Sequence, residues 1–127
     1  MFKLKRVSLI LLAIVLFVWV TPVFAQARYG LRVSAPIETN TDAALPAGTW
    51  VYGIKIYADA SSSYMGINDA ATVSAATVAN TKDDIGEATQ YDTAETWYAK
   101  PMYFTNGVSV QMSVGTGFIY YGPEPTE

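Results

Sequence analysis

The pattern of apolar and polar positions changes near Gln26, and the two parts of the chain predict different things. Before it, basic residues within positions 3–6 precede an almost unbroken apolar run over 7–20, and small residues follow. This order is typical of a secretory signal peptide. The run of 14 residues is shorter than the ~20 that cross a bilayer as a helix. We therefore predict a signal peptide over 1–25, with an uncleaved anchor as the alternative.

From residue 26 onward the pattern is that of short strands. Val, Ile, Thr, Tyr and Trp are frequent, and Gly, Asn, Asp or Pro interrupt them about every ten residues. We predict one domain over 26–127, an antiparallel β-sandwich of about seven strands, jelly-roll-like or immunoglobulin-like, with a Pro- and Glu-containing tail over 122–127. The predicted strands cover 29–35, 49–59, 64–68, 72–78, 97–104, 108–114 and 118–121, and 69–96 is otherwise a long loop.

Asn106-Gly107 lies between two of these apolar runs and is the preferred filling of a type I′ hairpin turn. In a two-residue hairpin Tyr103 opposes Val110, and their face, together with Trp97, is apolar and predicted to be core. The other face mixes aromatic and apolar side chains with hydroxyls and an amide, a composition enriched at interfaces. We predict an assembly interface there, formed by Tyr98, Met102, Phe104 and Gln111. The alternative is that a second sheet or the 69–96 loop covers this face within the chain.

Strict alternation over 49–59 places Tyr52 on the same face as Ile54 and Ile56. In the last predicted strand the loop length is ambiguous, so either Phe118 or Ile119 begins the inward set.

Composition narrows the possible chemistry. The predicted mature chain has five basic and eleven acidic side chains, a balance that argues against nucleic acid or anionic lipid as a partner. The chain has no Cys and no His, so a lipid anchor on cysteine is excluded, and the commonest general base and transition-metal ligand are absent. We predict no cofactor and no metal, and membrane contact only through an uncleaved signal.

Carboxylates are the remaining candidates for catalysis or calcium binding, and they lie in polar, turn-like stretches where a solvated acid is the ordinary outcome. The candidate groups are Glu38 with Asp42, Asp92 with Glu95, and the stretch Asp83, Asp84 and Glu87. The stretch lacks the ligand spacing of a dedicated calcium loop. We therefore predict that the protein is not an enzyme.

Thirteen aromatic residues follow residue 25, more than a core of this size usually needs. Trp50, Trp97 and several tyrosines could form a stacking platform for sugar rings, with Trp50, Tyr52 and Tyr57 as the chosen candidates, which predicts a secreted carbohydrate-binding module as the alternative function. The ordinary explanation is that tyrosines suit strand surfaces.

Three segments carry a resemblance to a known class of proteins: YGIKIYA over 52–58, MGINDAAT over 65–72 and KPMYFTNGVSV over 100–110. Together they resemble the small β-rich structural proteins encoded among the head and tail genes of tailed bacteriophages and prophages. The resemblance covers about 32–121 and implies a compact β-sandwich that works through contacts with other subunits. Such virion proteins normally lack an export signal. We accordingly expect an exported structural subunit, virion-like or part of a cell-surface filament or coat, in the periplasm, at the surface or outside the cell.

Overall fold

The computed structural model of the protein describes residues 30–126, and the predicted signal peptide and cleavage position lie outside them. The described residues form eight strands and one short 3-10 turn, which confirms the predicted all-β class with one strand more than expected. In chain order the elements are β1 (Arg32–Val33), β2 (Thr41–Leu45), β3 (Thr49–Tyr57), β4 (Ser63–Asp69), the turn Val73–Ala75, β5 (Thr81–Glu87), β6 (Thr93–Phe104), β7 (Val108–Met112) and β8 (Thr116–Gly122). Among these residues no helix is long and apolar enough to cross a membrane.

The strands form two antiparallel sheets of four strands, which we call sheet A (β1-β8-β3-β6) and sheet B (β2-β7-β4-β5). The first strand pairs with the eighth, the second with the seventh, the third with the sixth and the fourth with the fifth. This is the pairing of one long hairpin rolled into two layers, and the β3–β8 and β4–β7 pairs complete each sheet. The topology is that of a jelly roll, one of the two predicted sandwich types.

The core lies between the inner faces of the two sheets. Alternating β-branched and other apolar side chains of the central strands meet there, because each strand presents every second residue to one face. The fully buried side chains include Val51, Ile54 and Ile56 of β3, Met65 and Ile67 of β4, Phe104 of β6, Val108 and Val110 of β7, and Ile119 of β8.

The predicted Asn106-Gly107 hairpin is wrong. Strand β6 pairs with β3 in sheet A and β7 pairs with β4 in sheet B, so the connection between them crosses from one sheet to the other. In this connection Gly107 has a φ of 104°, a backbone conformation that favours glycine. The Asn106 N–H donates to Asp69 Oδ1 at 2.7 Å. Local turn preference was outweighed by the long-range pairing of β6 along nearly the whole of β3. Strand β8 likewise pairs with β1 and β3 in sheet A and not with β7, which precedes it in the chain.

This topology reverses the two faces of β6 relative to the prediction. Trp97 and Tyr103, predicted for the core, are 51% and 46% exposed, whereas Phe104 is fully buried. In β8 the ambiguity resolves with Ile119 buried and Tyr120 on the outer side.

A β-bulge in β3 also changes the assignment of faces. Pairing shifts between Val51 and Gly53 against both neighbouring strands, so Val51 and Ile54 are both buried. Strict alternation would have put Tyr52 inward and Val51 outward. The extra residue of a bulge moves the following side chains to the other face, which the residue pattern alone did not reveal.

The region 69–96 contains more strand than predicted. The segment expected as a strand near 72–78 holds the 3-10 turn, while the acidic stretch expected as loop forms β5. Strand β5 lies at the edge of sheet B with Ile85 as its one buried residue. An edge strand with charged residues looks like a loop in the sequence, because few of its side chains need to be apolar.

Candidate functional site: an aromatic sheet face

The outer face of sheet A is rich in exposed aromatic rings. Directly opposite residues of neighbouring strands project to the same side of a sheet, so the register identifies the members of this face. Its aromatic residues, which we call the aromatic face, are Trp50 and Tyr57 of β3, Trp97 and Tyr103 of β6, and Phe118 and Tyr120 of β8. Trp97, Tyr103 and Tyr57 are each more than a third exposed.

A glycine at the centre of this face allows two rings to meet across a strand. Gly53 lies opposite Trp97 on one side and Tyr120 on the other. The indole lies over Gly53, where a Cβ would come within 3.1 Å of a ring carbon and 2.6 Å of the Thr96 carbonyl. Without that side chain, the Trp97 and Tyr120 rings stack with centroids 4.4 Å apart and an interplanar angle of 23°.

Glu95 holds both rings of this stack. The Trp97 indole N–H donates to Glu95 Oε1 at 2.6 Å, and the Tyr120 hydroxyl donates to Oε2 at 3.0 Å. The indole hydrogen bond is the main cause that lowers the pKa of Glu95; partial desolvation opposes it, and Tyr120 and Lys55 lower it further. Desolvation and the same carboxylate raise the pKa of Tyr120. The carboxylate therefore positions rings, with both of its oxygens engaged.

A second ring pair lies toward the other end of the face. Trp50 lies directly opposite Tyr103, and their ring centroids are 4.9 Å apart at an angle of 43°. Two aromatic pairs and two further rings thus occupy one side of one sheet. A group of exposed apolar rings on one face marks a binding surface more often than scattered single residues do.

The predicted interface residues do not form this surface. Phe104 belongs to the core, and Tyr98 and Met102 pack against the core from the inner side of sheet A. Tyr98 also donates to Asp83 Oδ2 at 2.9 Å and so links the two sheets; burial first and then Asp83 raise its pKa. Gln111 lies in sheet B. The prediction is corrected because β6 turns its other side to solvent.

The predicted sugar platform is divided by the same geometry. Trp50 and Tyr57 are both on the aromatic face, but seven strand residues apart, which is about 20 Å. Tyr52 lies in the bulge, where its hydroxyl donates to the Pro123 carbonyl at 2.6 Å. These three residues therefore do not form one continuous platform.

Two of the carboxylates singled out in the sequence, Asp42 and Asp92, accept hydrogen bonds from nearby backbone groups. Asp42 Oδ1 accepts the Val73 N–H at 2.6 Å and anchors the 3-10 turn, and Asp92 accepts the Thr93 N–H. In β5, Asp83 and Asp84 are adjacent and so project to opposite faces of the strand. Within residues 30–126 no three acidic side chains gather where they could hold a metal ion.

Tyr103, Phe118 and Tyr120 are functional candidates that sequence reasoning missed, and they lie on one face with Trp97, which the hairpin register had assigned to the core. Each is an ordinary strand residue in the sequence, and only the pairing of β6 and β8 with β3 brings the four together. Comparison of the chain with protein-family models, with curated proteins and with solved structures found no match.

Proposed function

We propose that the protein is an exported structural subunit that assembles with further copies of itself through the aromatic face. The observation that carries the proposal is the exposure of this face. Trp97 and Tyr103 leave about half of their surface in solvent, although both are large side chains. Aromatic residues are enriched in the buried centres of protein interfaces, and burying these rings against a second copy would remove them from water.

Charge favours a second copy as the occupant. Residues 30–126 carry four basic and ten acidic side chains, a balance of minus six. Among the paired positions of the aromatic face the charged residues are Lys55 and Glu95, which lie opposite each other and balance. Two acidic copies repel each other least where they meet through a neutral surface. A twofold arrangement can also set Lys55 of each copy near Glu95 of the other.

Two associations support the proposal without deciding it. Jelly rolls occur in viral capsid proteins and in lectins, so the fold is compatible with an assembly role. The resemblance to phage head and tail proteins points the same way. Export rests on the signal-like segment over 1–25 alone.

The experiment starts from the full gene expressed in a bacterium. We expect the protein outside the inner membrane with Gln26 as its first residue by mass spectrometry. Sedimentation of that material should show a dimer or a larger assembly. Trp97→Glu and Tyr103→Glu should each shift it to monomer, because either change would bury a charge at the contact. Tyr91→Glu is the matched control, since Tyr91 is 70% exposed and lies outside the face.

A monomeric wild-type protein, or assemblies that survive both face variants, would contradict the assembly proposal. Recovery of the intact N-terminus would contradict cleavage and leave the subunit tethered to the membrane. The outcome for export does not affect the outcome for assembly, since the two depend on different parts of the chain.

A carbohydrate-binding module is the second candidate, and the two ring pairs favour it. Stacked and tilted rings on one sheet face are suited to packing against the apolar faces of sugars. The discriminating result is a monomer that is retained by an insoluble polysaccharide such as cellulose or chitin. Retention should then be lost in Trp97→Ala and kept in Tyr91→Ala.

A further inference from the structure

The outer side of sheet B carries a groove of about 520 Å³, on the opposite layer of the sandwich from the aromatic face. Its floor is the row in which Gly66 of β4 lies between Asp84 of β5 and Gln111 of β7. Its wall is the segment 76–78 that follows the 3-10 turn. The volume falls within the range of small-molecule sites in proteins.

The floor of the groove is shaped by Gly66 and Tyr64. A Cβ at Gly66 would come within 2.8 Å of the Tyr64 hydroxyl oxygen and 3.3 Å of the adjacent ring carbon. The phenol therefore leans along β4 over the glycine, with its hydroxyl end between Asp84 and Gln111. Tyr64 remains 37% exposed, so ring surface is available to a ligand.

The wall is held in place by hydrogen bonds of its own. Asn80 accepts the Thr77 N–H at 2.6 Å and donates to the Ala75 carbonyl at 2.9 Å. The Thr81 hydroxyl lies 2.8 Å from Asn68 Oδ1 and 2.9 Å from the Thr77 carbonyl, which joins the wall to the sheet. A groove built this way is formed before a ligand arrives, which lowers the entropy lost on binding.

The polar groups of the groove suit a neutral ligand with many hydroxyls. Asp84 is an acceptor, the amide of Gln111 both donates and accepts, and the Thr77 hydroxyl does either. No Lys or Arg lines the groove, and the Asp84 charge also helps to raise the pKa of Tyr64, after burial. An anionic ligand would meet that charge without a counterion.

We infer that this groove binds a neutral sugar, as a free saccharide or as the terminal unit of a glycan. The apolar face of the sugar ring packs on Tyr64, and its hydroxyls bond to Asp84 and Gln111. The inference is independent of assembly through the aromatic face. It gives the two outer faces of the sandwich different tasks.

The test is saturation-transfer NMR on the exported protein with glucose, galactose, mannose and N-acetylglucosamine at millimolar concentrations, free and as methyl glycosides. At least one sugar should give signals, and raising the salt concentration should leave them unchanged because the ligand is neutral. Tyr64→Ala and Gln111→Ala should each weaken affinity by about three- to tenfold through lost stacking or hydrogen bonding. Tyr91→Ala and Asp59→Asn are matched controls outside the groove and should bind as the wild type does.

Spermidine is run in parallel as a cationic probe. Binding of spermidine but not of any sugar, lost in Asp84→Asn and at high salt, would overturn the inference in favour of a cation site. The absence of saturation-transfer signals for every sugar would also overturn the inference. So would sugar binding that is unchanged in both Tyr64→Ala and Gln111→Ala. Sugar signals abolished by Trp97→Glu but not by Tyr64→Ala would assign binding to the aromatic face instead. Melting temperatures of all variants establish that each is folded.

Discussion

The two outer faces of the sandwich use the same backbone device with opposite results. Each has a glycine at the centre of a cross-strand row, Gly53 in sheet A and Gly66 in sheet B. In sheet A the neighbours of the glycine are two aromatic residues, whose rings close over it and stack. In sheet B the neighbours are Asp84 and Gln111, and the Tyr64 phenol of the same strand leans over the glycine, with the groove open beside it. The residues around a missing side chain thus decide whether the glycine supports a stacked pair of rings or the floor of a polar groove.

The comparison depends first on which side of β6 faces solvent. Substitutions that test this assignment should have the largest effect on the free energy of unfolding. Met102→Glu should lower the free energy of unfolding by about 2 to 4 kcal/mol, because an unpaired carboxylate would be forced against the core. Tyr103→Glu, one residue away on the aromatic face, should cost about 1 kcal/mol or less. Urea unfolding of both variants measures the difference. Equal losses would mean that β6 does not divide its residues between core and surface.

The two glycines should differ in their tolerance of a methyl group. In Gly53→Ala the new Cβ would meet the Thr96 carbonyl, a backbone atom that moves only with β6, so we expect a loss of about 2 to 3 kcal/mol. In Gly66→Ala it would meet the hydroxyl end of Tyr64, which can rotate away, so the loss should be below about 1 kcal/mol. Thermal melts test the stability difference. Sugar binding should weaken in Gly66→Ala alone, and the reverse order of stabilities would contradict both placements.

Strand β7 offers a smaller test within sheet B. Val110 is fully buried, so Val110→Ala should destabilise by about 1 to 3 kcal/mol through the lost burial and the cavity left behind. Gln111 faces the groove, and Gln111→Ala should stay within about 0.5 kcal/mol. Urea melts compare the two. A larger loss of stability in Gln111→Ala than in Val110→Ala would contradict the assignment of Gln111 to the groove side of β7.

The smallest expected effect is the pH dependence of the aromatic stack. Because the folded state lowers the pKa of Glu95, its contribution to stability is present above the pKa it has in the unfolded chain and is lost as pH falls through the lowered folded value. The stability difference between wild type and Glu95→Gln should therefore shrink on acidification. The Trp97 indole N–H resonance should report the titration directly at a pKa below the ordinary glutamate value. In Glu95→Gln that titration should vanish, and its persistence would assign it to another group.

The sequence by itself determined the all-β class, the sandwich architecture and the absence of cysteine and histidine chemistry. It also located β3 and β4, because their buried apolar residues recur at the spacing of a half-buried strand. Of the residues that the hairpin register assigned to the core, Val110 is fully buried, whereas Trp97 and Tyr103 are about half exposed. These properties depend on composition and on short-range periodicity, which a strand carries wherever it pairs.

Only the tertiary structure decided which residues reach solvent. A strand has two faces, and a one-residue change in register or one bulge exchanges them. Because β6 pairs with β3 and not with β7, Phe104 is in the core and Tyr103 is at the surface, the opposite of the prediction. The bulge at Tyr52 makes a similar exchange within β3. Both candidate surfaces depend on these long-range pairings: the aromatic face needs β6 and β8 on either side of β3, and the groove needs β5 and β7 on either side of β4. Residues distant in sequence meet on these surfaces because the burial of one face of each sheet determines which strands pair. Local sequence preferences do not contain this information.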